Sequence, residues 1–222
     1  MVTTYLVDLH PLEDPEIYEK YYNALPLWRK EKVDKIRLSK NKIQSIGAWT
    51  LFTSAATQAS LDFKQAIDSP EDFLASSWVN ISHSSFYALC AISNNPATKV
   101  GCDIETIGKF RESVARRCFC TSEYQHLMNT TDPTECTHLF YRYWVLKESF
   151  LKATRQGMKL DTRSFEIGWE ETKKPYLLKQ PVGYPEDYRY QEYFLPDRKT
   201  QAAMAICTTD TPIDPTLHIL HL

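Results

Sequence analysis

No apolar run in this chain approaches the ~18 residues needed to cross a bilayer, and the first residues, MVTTYLVDLHPLEDP, lack the basic region and apolar block of a secretory signal. A cytoplasmic location and no membrane association are the expectation. Charge of one sign is also lacking. With 26 Lys and Arg against 28 Asp and Glu, the net charge of −2 carries no nucleic-acid footprint, so any anionic ligand must be met by a local basic patch. There is no CxxC pair among the six cysteines (90, 102, 118, 120, 136, 207), which are expected to be reduced and mostly buried; Cys118 and Cys120 form only a CxC without a matching His or Cys pair. No internal repeat or low-complexity segment is present.

What is there is enough for a substantial core: 222 residues, 43% hydrophobic and 13% aromatic. The organising stretch runs from Asp132 to Gly157. Asp132, Pro133 and Glu135 make a helix start, and Gly157 suits a left-handed stop. Leu139, Phe140, Tyr143, Trp144, Leu146, Phe150, Leu151 and Ala153 cluster on one broad arc at helical spacing, so this helix should be packed. Lys147 falls inside the arc. Glu148 and Lys152 lie outside it, one turn apart, where a solvated pair would be worth about 0.3–0.5 kcal/mol.

Upstream, Thr3 to Leu9 alternates as a strand, a helix starts at Asp14-Pro15 and reaches about Leu25, and a further helix reaches about Ser60. Between them, seven basic residues fall within Arg29 to Lys42 against Glu31 and Asp34. They suit a solvated amphipathic face or a landing site for phosphate. Ser69-Pro70-Glu71-Asp72 suggests a turn or short helix. Trp78 to Ser85 reads as a polar turn entering a buried strand, Phe86 to Ser93, and Lys99 to Glu105 returns as a second strand.

In Val100-Gly101-Cys102-Asp103-Ile104-Glu105, alternation puts Asp103 and Glu105 on one face, about 6.6 Å apart along the backbone. Two carboxylates so placed suit Mg²⁺, which takes one or two carboxylates and completes its shell with water and phosphate oxygens. A solvated strand face is the plain alternative. Gly101 would let a ligand or neighbouring backbone come close. Lys109 to Met128 reads as loop and two short helices, with Arg111, Arg116, Arg117, Phe110 and Phe119 as a basic and apolar patch. After Gly157, strands are predicted at 164–169, 175–178, 188–195 and 201–207.

Three of these pieces, in this order, are NISHS (Asn80 to Ser84), VGCDIE (Val100 to Glu105) and WVLKESFLK (Trp144 to Lys152). They resemble the N-x-S-H-S, G-[IV]-D-x-E and W-x-x-K-E-[AS]-x-x-K elements of 4′-phosphopantetheinyl transferases, in the larger form that activates surfactin-type peptide synthetases. The G-K-P element that the family carries before N-x-S-H-S is missing; IDSPEDFLASSW stands there.

The resemblance implies an α+β fold of two similar α/β halves, 1–98 and 99–222, with the site in the cleft between them. It implies transfer of phosphopantetheine from coenzyme A to a serine of an apo acyl or peptidyl carrier protein, by a monomer using Mg²⁺. By the same resemblance, Asp103, Glu105 and Glu148 would hold the metal, Glu148 would help deprotonate the serine, and Lys152 would sit on the transferring phosphate. His83, Ser82, Arg29, Lys32, Lys42 and Lys147 would contact coenzyme A. The competing classes are a Mg²⁺-dependent phosphate hydrolase and a binding module without turnover; three converging carboxylates speak against the latter.

Overall fold

The computed structural model describes residues 1–59, 76–195 and 202–222. The turn expected at Ser69–Asp72 lies outside the described residues. Strand β1 (Val2–Asp8) leads through helices α1 (Pro15–Asn23) and α2 (Leu27–Asp34) to α3 (Ser39–Gln58), and then to the hairpin β2 (Val79–Ser84) and β3 (Tyr87–Ser93). Asp14 caps α1 by accepting from the amides of Glu16 and Ile17, as its place before Pro15 predicts.

The second half repeats this order. Strand β4 (Val100–Thr106) is followed by α4 (Glu112–Cys118), α5 (Thr121–Asn129) and the long α6 (Pro133–Ala153). A two-stranded sheet, β5 (Glu166–Trp169) with β6 (Pro175–Lys179), comes next, and then β7 (Arg189–Tyr193) and β8 (Ala202–Thr208). In the first sheet β3 lies between β2 and β1, antiparallel to both; in the second, β8 lies between β7 and β4, again antiparallel to both. Each half is thus a strand, a long helix and two strands, the last of which pairs with the first. This is the α+β architecture of two similar halves.

Strand β9 (Ile213–Leu220) departs from the simple division at residue 98: it returns to the first half and pairs parallel with β1. No strand is predicted there from the sequence, and Pro215 interrupts the stretch. An edge strand tolerates a proline that a central one would not.

Three apolar clusters hold the layers together. Leu51, Phe52 and Ile46 of α3 pack on Val7, Ala88 and Cys90; Phe140, Leu146 and Phe150 of α6 pack on Phe165, Ala205 and Cys207. The opposite sheet faces meet each other through Leu6, Leu89, Cys102, Ile104, Met204 and Ile206. The order across the molecule is helix, sheet, sheet, helix. All six cysteines are free thiols, five buried and Cys120 half-buried. Among the described residues no helix is long and apolar enough to cross a membrane.

Two expectations need correction. Val79 to Ser84 is strand rather than polar turn, the turn after it being confined to Ser85 and Phe86, and the polar residues of the strand have partners across the cleft, described below. Helix α6 ends at Ala153, before Gly157, because Arg155 rather than a glycine takes the first left-handed position, at φ 58°.

Candidate active site

The site forms where the edge strands of the two sheets, β2 and β4, run side by side and then separate. The amide of Val100 donates directly to the carbonyl of Ser77 at 2.7 Å. Two residues on, the amide of Cys102 reaches only the Asn80 Oδ1, at 3.0 Å, and that of Thr106 reaches the Ser84 Oγ, at 3.2 Å. Side chains replace the missing carbonyls, so the N-x-S-x-S spacing of β2 satisfies an edge that would otherwise leave buried donors bare. The same spacing meets the acids. Ser82 donates to Asp103 Oδ1 at 2.9 Å and Ser84 to Glu105 Oε2 at 2.8 Å.

Helix α6 approaches β4 closely enough to complete the cluster because residue 101 is glycine. A Cβ there would stand 2.0 Å from the carbonyl oxygen of Ser149 and 2.3 Å from the amide nitrogen of Ala153. The neighbouring backbone whose approach the glycine allows is therefore α6 itself. With the helix in place, Lys152 Nζ lies 2.6 Å from Asp103 Oδ1 and 2.8 Å from Ser82 Oγ. Lys152 thus pairs across the cleft with Asp103, and no ion pair with Glu148 forms among the described residues. The surface-pair alternative for Glu148 and Lys152 fails on this geometry.

The electrostatics of the cluster follow from its enclosure. Burial raises the pKa of Asp103 against the opposing effect of Lys152. Burial opposes the charge on Lys152 as well, yet the carboxylate at 2.6 Å holds its pKa above the ordinary lysine value. Glu105 and Glu148 are both pushed up, first by burial and then by the charge of Asp103. Glu148 accepts no hydrogen bond from a described residue.

Beside this cluster opens a cavity of about 520 Å³. Arg29, Lys32, His83, Asn80 and Arg155 contribute its polar walls, with Trp49 and Ile81 among the apolar ones. Arg29 is buried, its guanidinium donating to the carbonyl and hydroxyl of Ser45 at 2.9 and 3.2 Å and lying over the Trp28 and Trp49 rings. Its Nε is buried without a partner. Burial, then the Lys152 ammonium, lowers the pKa of His83, which favours the neutral ring.

Of the residues singled out in the sequence, Asp103, Ser82 and Lys152 are in direct contact, and Glu105 and Glu148 adjoin them. Arg29, Lys32 and His83 line one cavity. Lys42 is not among its walls, since the helix turns Asn41, Gln44 and Ser45 toward it instead. Lys147 is elsewhere altogether: 1% exposed, it pairs with Glu123 at 2.9 Å and donates to the carbonyls of Thr162 and Phe165. Its place inside the apolar arc was the signal, and its role is to tie α5, α6 and the chain before β5 together. Phe119 is likewise core, while Arg111, Arg116 and Arg117 point outward. Sequence reasoning missed Arg155, whose signal is a long cation three residues after Lys152 at a helix end.

The chain is similar to known proteins. The family model described as the 4′-phosphopantetheinyl transferase superfamily matches residues 99–207, which contain Asp103, Glu105, Glu148 and Lys152. The chain is 34% identical over 117 residues to the 4′-phosphopantetheinyl transferase gsp of Aneurinibacillus migulanus, covering 51% of this chain and 48% of that protein. It is 38% identical over 88 residues to the transferase Sfp of Bacillus subtilis, covering 40% and 38%, and 40% identical over 106 residues to HetI of Nostoc, covering 46% and 43%. The matched stretch thus spans less than half the length of each of these relatives. Its three motifs meet at one cleft between two similar halves, and over residues 99–207 the chain is similar to the 4′-phosphopantetheinyl transferase superfamily.

Proposed function

We propose that the protein transfers the 4′-phosphopantetheine group of coenzyme A to a serine hydroxyl of an apo acyl or peptidyl carrier protein, releasing adenosine 3′,5′-bisphosphate. The observation that carries this reading is the junction of two unlike neighbours. A lysine and three carboxylates line the cleft, and a cavity walled by arginine, lysine and histidine opens beside them. The cavity suits the phosphates of the donor. The cleft suits the reaction.

Mg²⁺ fits the acids. Asp103 Oδ2 is buried with no hydrogen-bond partner, and the charge of Asp103 adds to burial in pushing up the pKa of both Glu105 and Glu148, so the carboxylates have room for a cation beyond Lys152. Among the described residues no group of three His, Cys, Asp or Glu side chains closes into a metal cage. Mg²⁺ does not require one, since one or two carboxylates with water and substrate phosphate satisfy it. Asp103, with Glu105 or Glu148, would hold the ion, which when bound would neutralise charge on the pyrophosphate.

The chain's own groups supply the rest. Glu148, with its pKa raised and its oxygens uncommitted, accepts the serine proton directly or through water. The serine oxygen bonds to the phosphorus bearing pantetheine, and the phosphoanhydride bond breaks toward adenosine bisphosphate. Lys152, held charged by Asp103, stabilises the negative charge that builds on the phosphoryl oxygens. His83 and Arg29 orient the donor from the cavity.

Mass spectrometry of apo carrier proteins after incubation with coenzyme A and Mg²⁺ tests this reading. A gain of one phosphopantetheine mass on the carrier serine is expected. Phosphate release without that gain would identify a hydrolase and overturn it.

A further inference from the structure

We propose that Arg155 is a phosphate-binding residue of the donor cavity, acting from the second half of the molecule opposite Arg29 of the first. This rests on the transferase reading above. Three observations converge on it. The first is position. The cavity is walled mainly by α2, α3 and β2, and Arg155 enters it from beyond the end of α6.

The second is backbone conformation. Arg155 has φ 58°, the left-handed region that a residue with a Cβ seldom occupies and that Gly157, two residues on, occupies without strain at φ 52°. A glycine at 155 would end the helix at lower cost. The arginine stays in that conformation with its guanidinium donating to the carbonyls of Ser76 and Val79, the latter at 2.5 Å, at the entrance to β2.

The third is charge. Neither Arg155 nor Arg29 forms an ion pair with a described residue, although nine of the described ion pairs elsewhere set a lysine, arginine or histidine side chain against an acid. Two guanidiniums facing one cavity without a carboxylate between them suit an anion with several oxygens, and planar donors grip phosphate through paired hydrogen bonds. The two carbonyls use part of the Arg155 fork and leave other N–H groups for the ligand.

The position of Arg155 also links binding to chemistry. Its amide donates to the carbonyl of Lys152 at 3.2 Å, so the residue that meets the donor and the residue that meets Asp103 share one helix end. A phosphate held by Arg155 would fix that helix end against β2.

The test is isothermal titration of the intact protein with coenzyme A, dephospho-coenzyme A and phosphate-free pantetheine, for wild type, Arg155→Gln and Arg155→Gly, with a melting curve for each. Both variants should bind coenzyme A about tenfold or more weakly, as expected for one lost charge-assisted contact. Pantetheine binding should not change. If dephospho-coenzyme A keeps its affinity, Arg155 holds the 3′-phosphate; if it weakens equally, Arg155 holds the pyrophosphate. Arg155→Gly, relieved of its backbone strain, keeps the test open should Arg155→Gln fold poorly. Wild-type affinity for coenzyme A in Arg155→Gly, whatever its melting temperature, would make the residue a structural tie between the halves and overturn the assignment. Wild type that binds no coenzyme A overturns the transferase reading itself.

Discussion

Lys147 and Lys152 stand five residues apart on α6, each paired with a carboxylate of another element, and they do opposite things. The Lys147–Glu123 pair is sealed, each side chain 1% exposed, with every nearby acceptor used: Glu123 also accepts from the amides of Cys120 and Ile167. The Lys152–Asp103 pair is 28% and 7% exposed, beside an open cavity, and leaves Asp103 Oδ2 without a partner. A satisfied ion pair is architecture, whereas an unsatisfied one at a cleft has capacity left for a ligand. On the proposed function, the difference separates structure from chemistry on a single helix.

The largest effect is expected at the sealed pair. Glu123→Ala leaves the Lys147 ammonium buried without its counter-charge, and removing one partner of such a pair costs about 3–5 kcal/mol. We expect a melting temperature lower by on the order of ten degrees. An unchanged melting curve would mean that water reaches Lys147 and that the two pairs are not different in kind.

A smaller effect is expected at Gly101, which sets the distance of α6 from the cleft. Alanine there meets the backbone of Ser149 and Ala153, so the helix must shift, at a cost of about 1–3 kcal/mol. Transfer should fall much further than stability, because Lys152 moves off Asp103. Proportional loss of the two would show that the approach of α6 serves packing alone.

The smallest effect sharpens the comparison by its sign. Burial and the charge of Asp103 raise the Glu148 pKa above the ordinary 4.5, so its ionisation costs stability as pH rises through the raised value. Below the ordinary value folded and unfolded chains are both protonated there, and the cost vanishes. Glu148→Gln should therefore melt slightly higher than wild type at pH 7, with the gap closing on acidification, while its kcat drops sharply. A lower melting temperature at pH 7 would make Glu148 a structural residue.

The legible parts of this molecule were those with a local cause. Asp14 and Asp132 cap their helices by side-chain bonds within three residues, and the alternation of β4 does bring Asp103 and Glu105 toward the same neighbour, β2. What stayed hidden depends on a distant partner. NISHS looked like a turn because its serines and asparagine are polar, and they are polar because β4 lies opposite with carboxylates and unpaired amides. Lys147 matched a motif by spacing, but the acid that fixes its role is 24 positions earlier, on another helix. Strand β9 and Arg155 depend on contacts with β1 and β2, which no local pattern announces.

On the proposed function, reactivity resides in the Lys152 pair and not in the Lys147 pair. Carrier modification rate and melting temperature, measured side by side for Lys152→Met and Lys147→Met, test it most directly. A crossed result is expected. Lys152→Met should keep a near wild-type melting temperature and lose transfer by about a hundredfold or more, as when one preorganised charge is removed from a transition state. Lys147→Met should melt differently and retain kcat per folded molecule. Wild-type transfer by Lys152→Met, or selective loss of transfer with unchanged melting in Lys147→Met, would contradict it.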